Sequence, residues 1–225
     1  MVELPSRQEL DRRKAEKPLT EQWVNEGETL RWIELPVQAH AASVIGQKAT
    51  VPHEPLSAEQ KSLVEKPNWP LPSKQIEEGA FRDDEWADEL SVHWWAFADQ
   101  AERDAVRCAD HIANVPGEAL LAITDQRAAV VVRSNQVTDV DEAGSSLFSR
   151  ARSVAQKAVE SLPSPSRPLS YFEVPADRIA AIQGIVLGRS LPRDNWIRID
   201  FTDRSTFYAR STNIDQDPAE VFPAR

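Results

Sequence analysis

Residues 196–209 read WIRIDFTDRSTFYA, and their alternation decides the fold class. Ile197, Ile199 and Phe201 take turns with Trp196, Arg198, Asp200 and Thr202. Beyond an Asp203-Arg204 turn, Phe207 and Ala209 alternate with Thr206, Tyr208 and Arg210. A period of two puts successive side chains on opposite faces, so the stretch predicts a half-buried antiparallel hairpin. Its polar set, Trp196 and Arg198 included, is expected on an outer face toward solvent.

Upstream, EALLAIT (118–124), a tight Asp125-Gln126 turn and RAAVVVR (127–133) predict a second hairpin. Residues 170–174 read as a strand and 176–183 as a helical turn or a bent strand. Between these lies an expected helix, 146–162, with Leu147, Ala151, Val154, Ala158 and Leu162 on one stripe and PSPSRP (163–168) ending it. Trp94, Ala98, Ala101, Ala105, Cys108, Ile112 and Val115 are spaced by fours and threes, which predicts one long amphipathic helix ended by Pro116-Gly117. Nearer the N-terminus, ETLRWIEL (28–35) has strand character with imperfect alternation, and 37–47 fits strand or helix equally. Prolines crowd 52–72 around a short expected helix, 57–65. Ser6 to Lys17 predicts an exposed, loosely attached helix with Ser6 and Glu9 as a capping box. Residues 217–222 make one more helical turn.

Three of these segments, GEALLAITDQRAAVVV (117–132), YFEVPADRIAAIQ (171–183) and WIRIDFTDRSTFYA, together resemble bacterial pleckstrin-homology-like and GRAM-like domains. In those, a Leu-x-x-Thr-Asp-x-Arg-like hairpin precedes an Ile-Pro strand and a final hairpin with an acidic turn. The resemblance spans roughly 100 of 225 residues. It implies an α+β fold whose C-terminal half is a small antiparallel β-barrel, and a scaffold for lipid or protein contacts rather than catalysis. Two departures stand out. The chain continues only about 15 residues past the last strand, too few for the family's capping helix, and a helix-length insertion interrupts the β part. The long helix from Trp94 is therefore assigned the capping role, ETLRWIEL an early strand, and 47–116 an insertion. The expected organisation is a helical, loosely ordered segment 1–27 and a single such domain over 28–225.

Composition narrows the function. The chain has 26 Lys+Arg against 36 Asp+Glu, a formal net charge of −10, which disfavours a nucleic-acid binder. Its N-terminus is charged where a signal peptide needs an apolar core, and its single cysteine, Cys108, fits a reducing cytoplasm. The charge is uneven: residues 77–104 carry a net −8, whereas 143–211 carry +4. Six of the seven tryptophans lie in the first 95 residues.

No catalytic, cofactor or metal site is expected. G-x-S-x-G, Walker A, H-E-x-x-H and G-x-G-x-x-G are absent from the sequence. Cys108 and His111 have a metal-compatible spacing, but Cys108 falls on the apolar stripe, and its acidic neighbours oppose a reactive thiolate. Adjacent Trp94 and Trp95 on a helix would point about 100° apart, so one of them, with Trp86 and Trp69, is a candidate interface residue. The acids of RDDEWADE (82–89), including Asp83, Asp84 and Glu85, read as a solvated helix start or a surface for a basic partner. Arg198, Arg204 and Arg210 could contact anionic lipid weakly, or pair with the chain's own acidic segment. The expectation is a non-catalytic cytoplasmic binding or adaptor module contacting another protein. The alternatives are peripheral membrane association through the late arginines, and a hydrolase using His93 or His111.

Overall fold

A computed structural model of the chain describes residues 7–56, 61–138, 166–213 and 216–223, without the side chains of 7–10. The expected helix 146–162, the capping residue Ser6 and the first residues of the expected helix 57–65 lie outside the described residues. The described elements, in order, are α1 (Arg7–Gln22), β1 (Leu30–Glu34), β2 (His40–Ile45), β3 (Lys48–Thr50), α2 (Lys74–Glu77), β4 (Val92–Ala98), α3 (Asp104–Asn114), β5 (Leu120–Thr124), β6 (Arg127–Arg133), β7 (Pro168–Pro175), β8 (Ile179–Leu187), β9 (Asp194–Phe201), β10 (Thr206–Arg210) and α4 (Pro218–Val221).

The α+β class holds, but the barrel does not form. The strands make two open sheets, one ordered β1-β5-β6-β7 and one ordered β3-β2-β4-β10-β9-β8. All neighbours are antiparallel except β2 and β4. Both predicted hairpins are present. Ile197 faces Ala209 and Ile199 faces Phe207, and Leu121 and Ala122 face Val130 and Ala129. Residues 176–178 are a single 3-10 turn leading into β8.

The long helix expected from Trp94 is instead a strand followed by a shorter helix. VHWWAFA forms β4, residues 99–103 turn the chain, and α3 starts at Asp104. The physical reason is burial on both faces. A strand covered on each side is a nearly continuous apolar run, which periodicity alone does not separate from a buried helix. Trp94 packs on one side of the sheet with Ala96, Ile197, Ile199, Phe207 and Ala209. Trp95 packs on the other with Trp86 and Trp196. The remainder of the expected helix 57–65 is not helical either, since Ser62 forms an isolated bridge to Val137.

These contacts stack the molecule in layers. Leu19 and Trp23, at the end of α1, cover the outer face of the four-stranded sheet over Ile33, Ala122, Ala129 and Val131. The inner faces of both sheets close on α3, which is buried nearly all round. Residues 73–91 cover the far face of the six-stranded sheet. There the Trp86 ring lies 5.0–5.3 Å from Tyr208, Trp95, Phe97 and Trp196. The face expected to be polar and solvated is thus a second core, and Trp196 is fully buried in it.

Long-range hydrogen bonds fix the seams. Asp203 Oδ2 accepts from the Asp104 N–H (2.8 Å) and Ser205 Oγ from the Ala105 N–H (3.1 Å), so the β9–β10 turn caps α3. Glu28 takes two bonds from the Arg127 guanidinium and one from Thr124 Oγ1, anchoring the start of β1 to the β5–β6 turn. At Gly184 a Cβ would collide with the backbone of Pro218 and Ala219, so only glycine lets α4 lie against β8.

Candidate binding surface and buried polar sites

The acidic block is folded back onto the chain's own arginines. Residues 82–89 turn sharply at Asp83 (φ 50°) and run through a 3-10 turn, Glu85–Asp88, that drives Trp86 into the aromatic core. The Arg189 guanidinium lies 2.5 Å from Glu85 Oε1, 3.3 Å from Asp83 Oδ2 and 3.8 Å from Asp84 Oδ1. Asp88 accepts from the N–H groups of Arg189 and Ser190 at 3.0 Å. Burial pushes the Asp88 carboxyl up, but these bonds outweigh it and hold the group below the ordinary carboxylate value.

The sequence-predicted site residues therefore separate into three sets. Trp86, Trp94 and Trp95 are core residues, none offered to a partner; on a strand the adjacent pair points to opposite faces, and both faces are covered. Asp83, Asp84 and Glu85 do reach the surface, Asp83 being 85% exposed, but share Arg189. Of the late arginines, Arg210 corrects the expectation of a lipid contact. It is 8% exposed, pairs with Asp194 at 2.7 Å, and donates to the Ala87 and Glu89 carbonyls. Arg198 is paired with Asp200 at 2.9 Å beside Tyr208. Arg204 is exposed at the hairpin turn with φ 72°.

An open apolar surface lies beside the acidic block, where the sequence reading did not place one. Leu71 (68% exposed) and Leu90 (77%) flank a hollow of about 350 Å³ that Trp69 and Pro70 also line. Trp69 meets His40 edge-on at 5.4 Å, and His40 Nε2 lies 3.0 Å from the Pro70 carbonyl, which fixes the proline-rich strap against β2. A second hollow of about 250 Å³, lined by Glu85, Asp88 and Glu89, shares Glu89 with the first. Glu89 accepts from the Ser73 N–H at 2.9 Å and from Ser91 Oγ at 2.7 Å. Trp69 was among the candidate tryptophans, but neither leucine carries a signal in the sequence: a lone Leu between polar residues reads as ordinary surface.

Inside the molecule a constellation appears that no motif announced. Ser43 Oγ lies 2.7 Å from His53 Nδ1, and His53 Nε2 lies 2.6 Å from Asp110 Oδ1. Asp110 Oδ1 also accepts from the Leu56 N–H at 3.0 Å. These residue types in this order are those of nucleophilic catalysis. Here, however, Ser43 is completely enclosed on β2, so a substrate carbonyl does not reach its hydroxyl. The network instead ties the strap after β3 to both β2 and α3. The spacing in sequence, 10 and 57 residues, follows no motif, so only the fold reveals it.

His93 and His111, proposed above as hydrolase bases, are both buried. His93 is the extra residue of a bulge in β4, since His40 faces Val92 and Ala41 faces Trp94. Its Nε2 lies 3.7 Å from Glu34, whose carboxylate also accepts from the N–H and hydroxyl of Thr212. Burial lowers the His93 pKa, with Glu34 opposing. His111 stacks on Phe172 and its Nδ1 lies 2.6 Å from the Arg107 carbonyl. Cys108 sits in the core, where burial raises its thiol well above the ordinary value. Among the described residues no three His, Cys, Asp or Glu side chains gather as a metal site, and no helix is long and apolar enough to cross a membrane. No family model, curated protein or solved structure matches the chain.

Proposed function

We propose that the chain is a non-catalytic binding module that docks a basic segment of a protein partner, anchored by apolar side chains, on the face around Trp69, Leu71 and Leu90. The observation that carries this reading is the pair of highly exposed leucines on one hollow, immediately beside the acidic block. Apolar side chains gathered at a rimmed hollow mark contact sites more often than singly scattered ones do. Residues 71–91 hold seven acids against Lys74 and Arg82, so the rim selects for a basic partner and speeds its approach. The fixed Trp69 ring supplies a rigid anchor of the kind that dominates interface energetics. The pairing of Arg198 and the burial of Arg210 favour a protein over an anionic membrane as the target. The same proposal keeps the kinship with pleckstrin-homology-like and GRAM-like domains, as a scaffold for contacts, and a cytoplasmic setting on the strength of the single cysteine.

The test is a panel of immobilised peptides combining Lys/Arg with Leu, Phe or Trp, probed with the full chain. Binding should fall about tenfold or more in a Leu71→Ser/Leu90→Ser double variant, which is about 1.4 kcal/mol. It should also weaken as salt rises. Peptide binding that ignores both leucines, or a panel with no binder at low salt, defeats the proposal.

A further inference from the structure

A further hollow lies on the outer face of the four-stranded sheet. Alternation along β6 puts Ala129, Val131 and Arg133 on that face, because Val130 and Val132 belong to the inner core. Ile33, Leu35, Leu120 and Ala122 complete it from β1 and β5 and their flanks. The helix α1 covers only part of this face. Its last turn is docked through Leu19 and Trp23, while Asp11, Lys14 and Ala15 stand over a hollow of about 560 Å³. That volume lies within the range of about 300–1,000 Å³ typical of small-ligand sites.

The walls are apolar: Leu19 and Pro18 from the helix, and Leu35, Leu120 and Val131 from the sheet. The polar groups at the rim are mostly engaged. Lys14 pairs with Asp11 at 3.0 Å, and Glu118 accepts from the Gln136 amide at 2.5 Å. Arg133 lines the same hollow, and its guanidinium has no hydrogen-bond or ion-pair partner among the described residues. An apolar slot ended by a permanently charged fork that is unpaired among the described residues fits one chemical class, a single-chain aliphatic carboxylate. Its tail would replace water on Leu35, Leu120 and Val131, and its carboxylate would take up the fork of Arg133.

We propose that this hollow binds a medium-chain aliphatic carboxylate, with Arg133 as the headgroup ligand. Titration calorimetry on the full chain, below the micelle concentration, tests it with octanoate, decanoate and dodecanoate, and with decanol as the uncharged control. Affinity should rise about tenfold per two methylenes until the tail outgrows the hollow. Arg133→Gln should weaken decanoate about tenfold or more and leave decanol unchanged. Ala15→Trp, which fills the slot from the helix side, should abolish both. The proposal is overturned by failure of decanoate to bind, by affinity independent of chain length, or by equal loss of acid and alcohol in Arg133→Gln. None of these readouts involves the leucine surface, so the two proposals stand or fall separately.

Discussion

The imidazole of His93 is held in the interior, its Nε2 without a hydrogen bond among the described residues, against the edge of Trp94 and 3.7 Å from Glu34. Burial, opposed by the carboxylate, holds its pKa below the ordinary value of 6.5. A pKa lowered in the folded state means that the unfolded chain binds the proton first. The resulting stability is complete above pH 6.5 and is lost as the pH falls through the folded-state value. Urea unfolding of wild type and His93→Gln, followed from about pH 8 down to about pH 5, should show the wild type losing stability more steeply. Parallel curves would refute this assignment. At this scale the sequence was a poor guide. It offered His93 and His111 as chemistry, and both prove to be packed interior, whereas Cys108, read as part of the apolar stripe, is indeed buried in the core. The most chemically shaped group, Ser43 with His53 and Asp110, was invisible because each member reads as an ordinary polar residue and its partners arrive only through the fold.

Elements were more legible where one rule acted alone. The 196–209 alternation reveals the hairpin and sorts its side chains between two faces, because a one-residue slip would exchange every side chain between them. The assignment of its second face to solvent failed for a reason outside the hairpin: residues 73–91, over 100 positions upstream, cover it with Trp86. The same covering turned VHWWAFA into a two-faced strand that mimics a helix. The start of α3 shows the converse. Its own residue at the N-cap, Arg103, makes no side-chain cap, and the helix is ended instead by Asp203 and Ser205. Burial raises the Asp203 carboxyl, yet its bonds from Asp104 and Ser205 prevail and keep it ionised below the ordinary value. Asp203→Ala should therefore cost about 1–2 kcal/mol of unfolding free energy and increase hydrogen exchange in the first turn of α3. Unchanged exchange there would show that the helix does not depend on this borrowed cap.

For the molecule as a whole, the −10 charge was correctly read as two opposed regions, and the fold shows part of the opposition satisfied within the chain. Arg189 gathers Asp83, Asp84 and Glu85, and Arg210 pins residues 87–89 from beneath. The Arg189 contacts are half exposed, so Arg189→Ala should cost less than about 1 kcal/mol, measurable by denaturation at low ionic strength and gone at high salt. A larger, salt-independent loss would mean that this arginine does more than neutralise its neighbours. The arrangement of β4 has one more consequence, in the order of events during synthesis. Trp95 is paired with Tyr208, 113 positions later, while Trp94 and Trp95 have apolar sides on both faces of their strand. As the chain leaves the ribosome, this strand must wait through most of the remaining translation for its second neighbour. Wide separation between partners slows folding, and an unpaired apolar strand invites intermolecular pairing. A nascent chain stalled before residue 206 therefore leaves a strand apolar on both faces without its second neighbour, and a chaperone that shields VHWWAFA serves this chain at that stage.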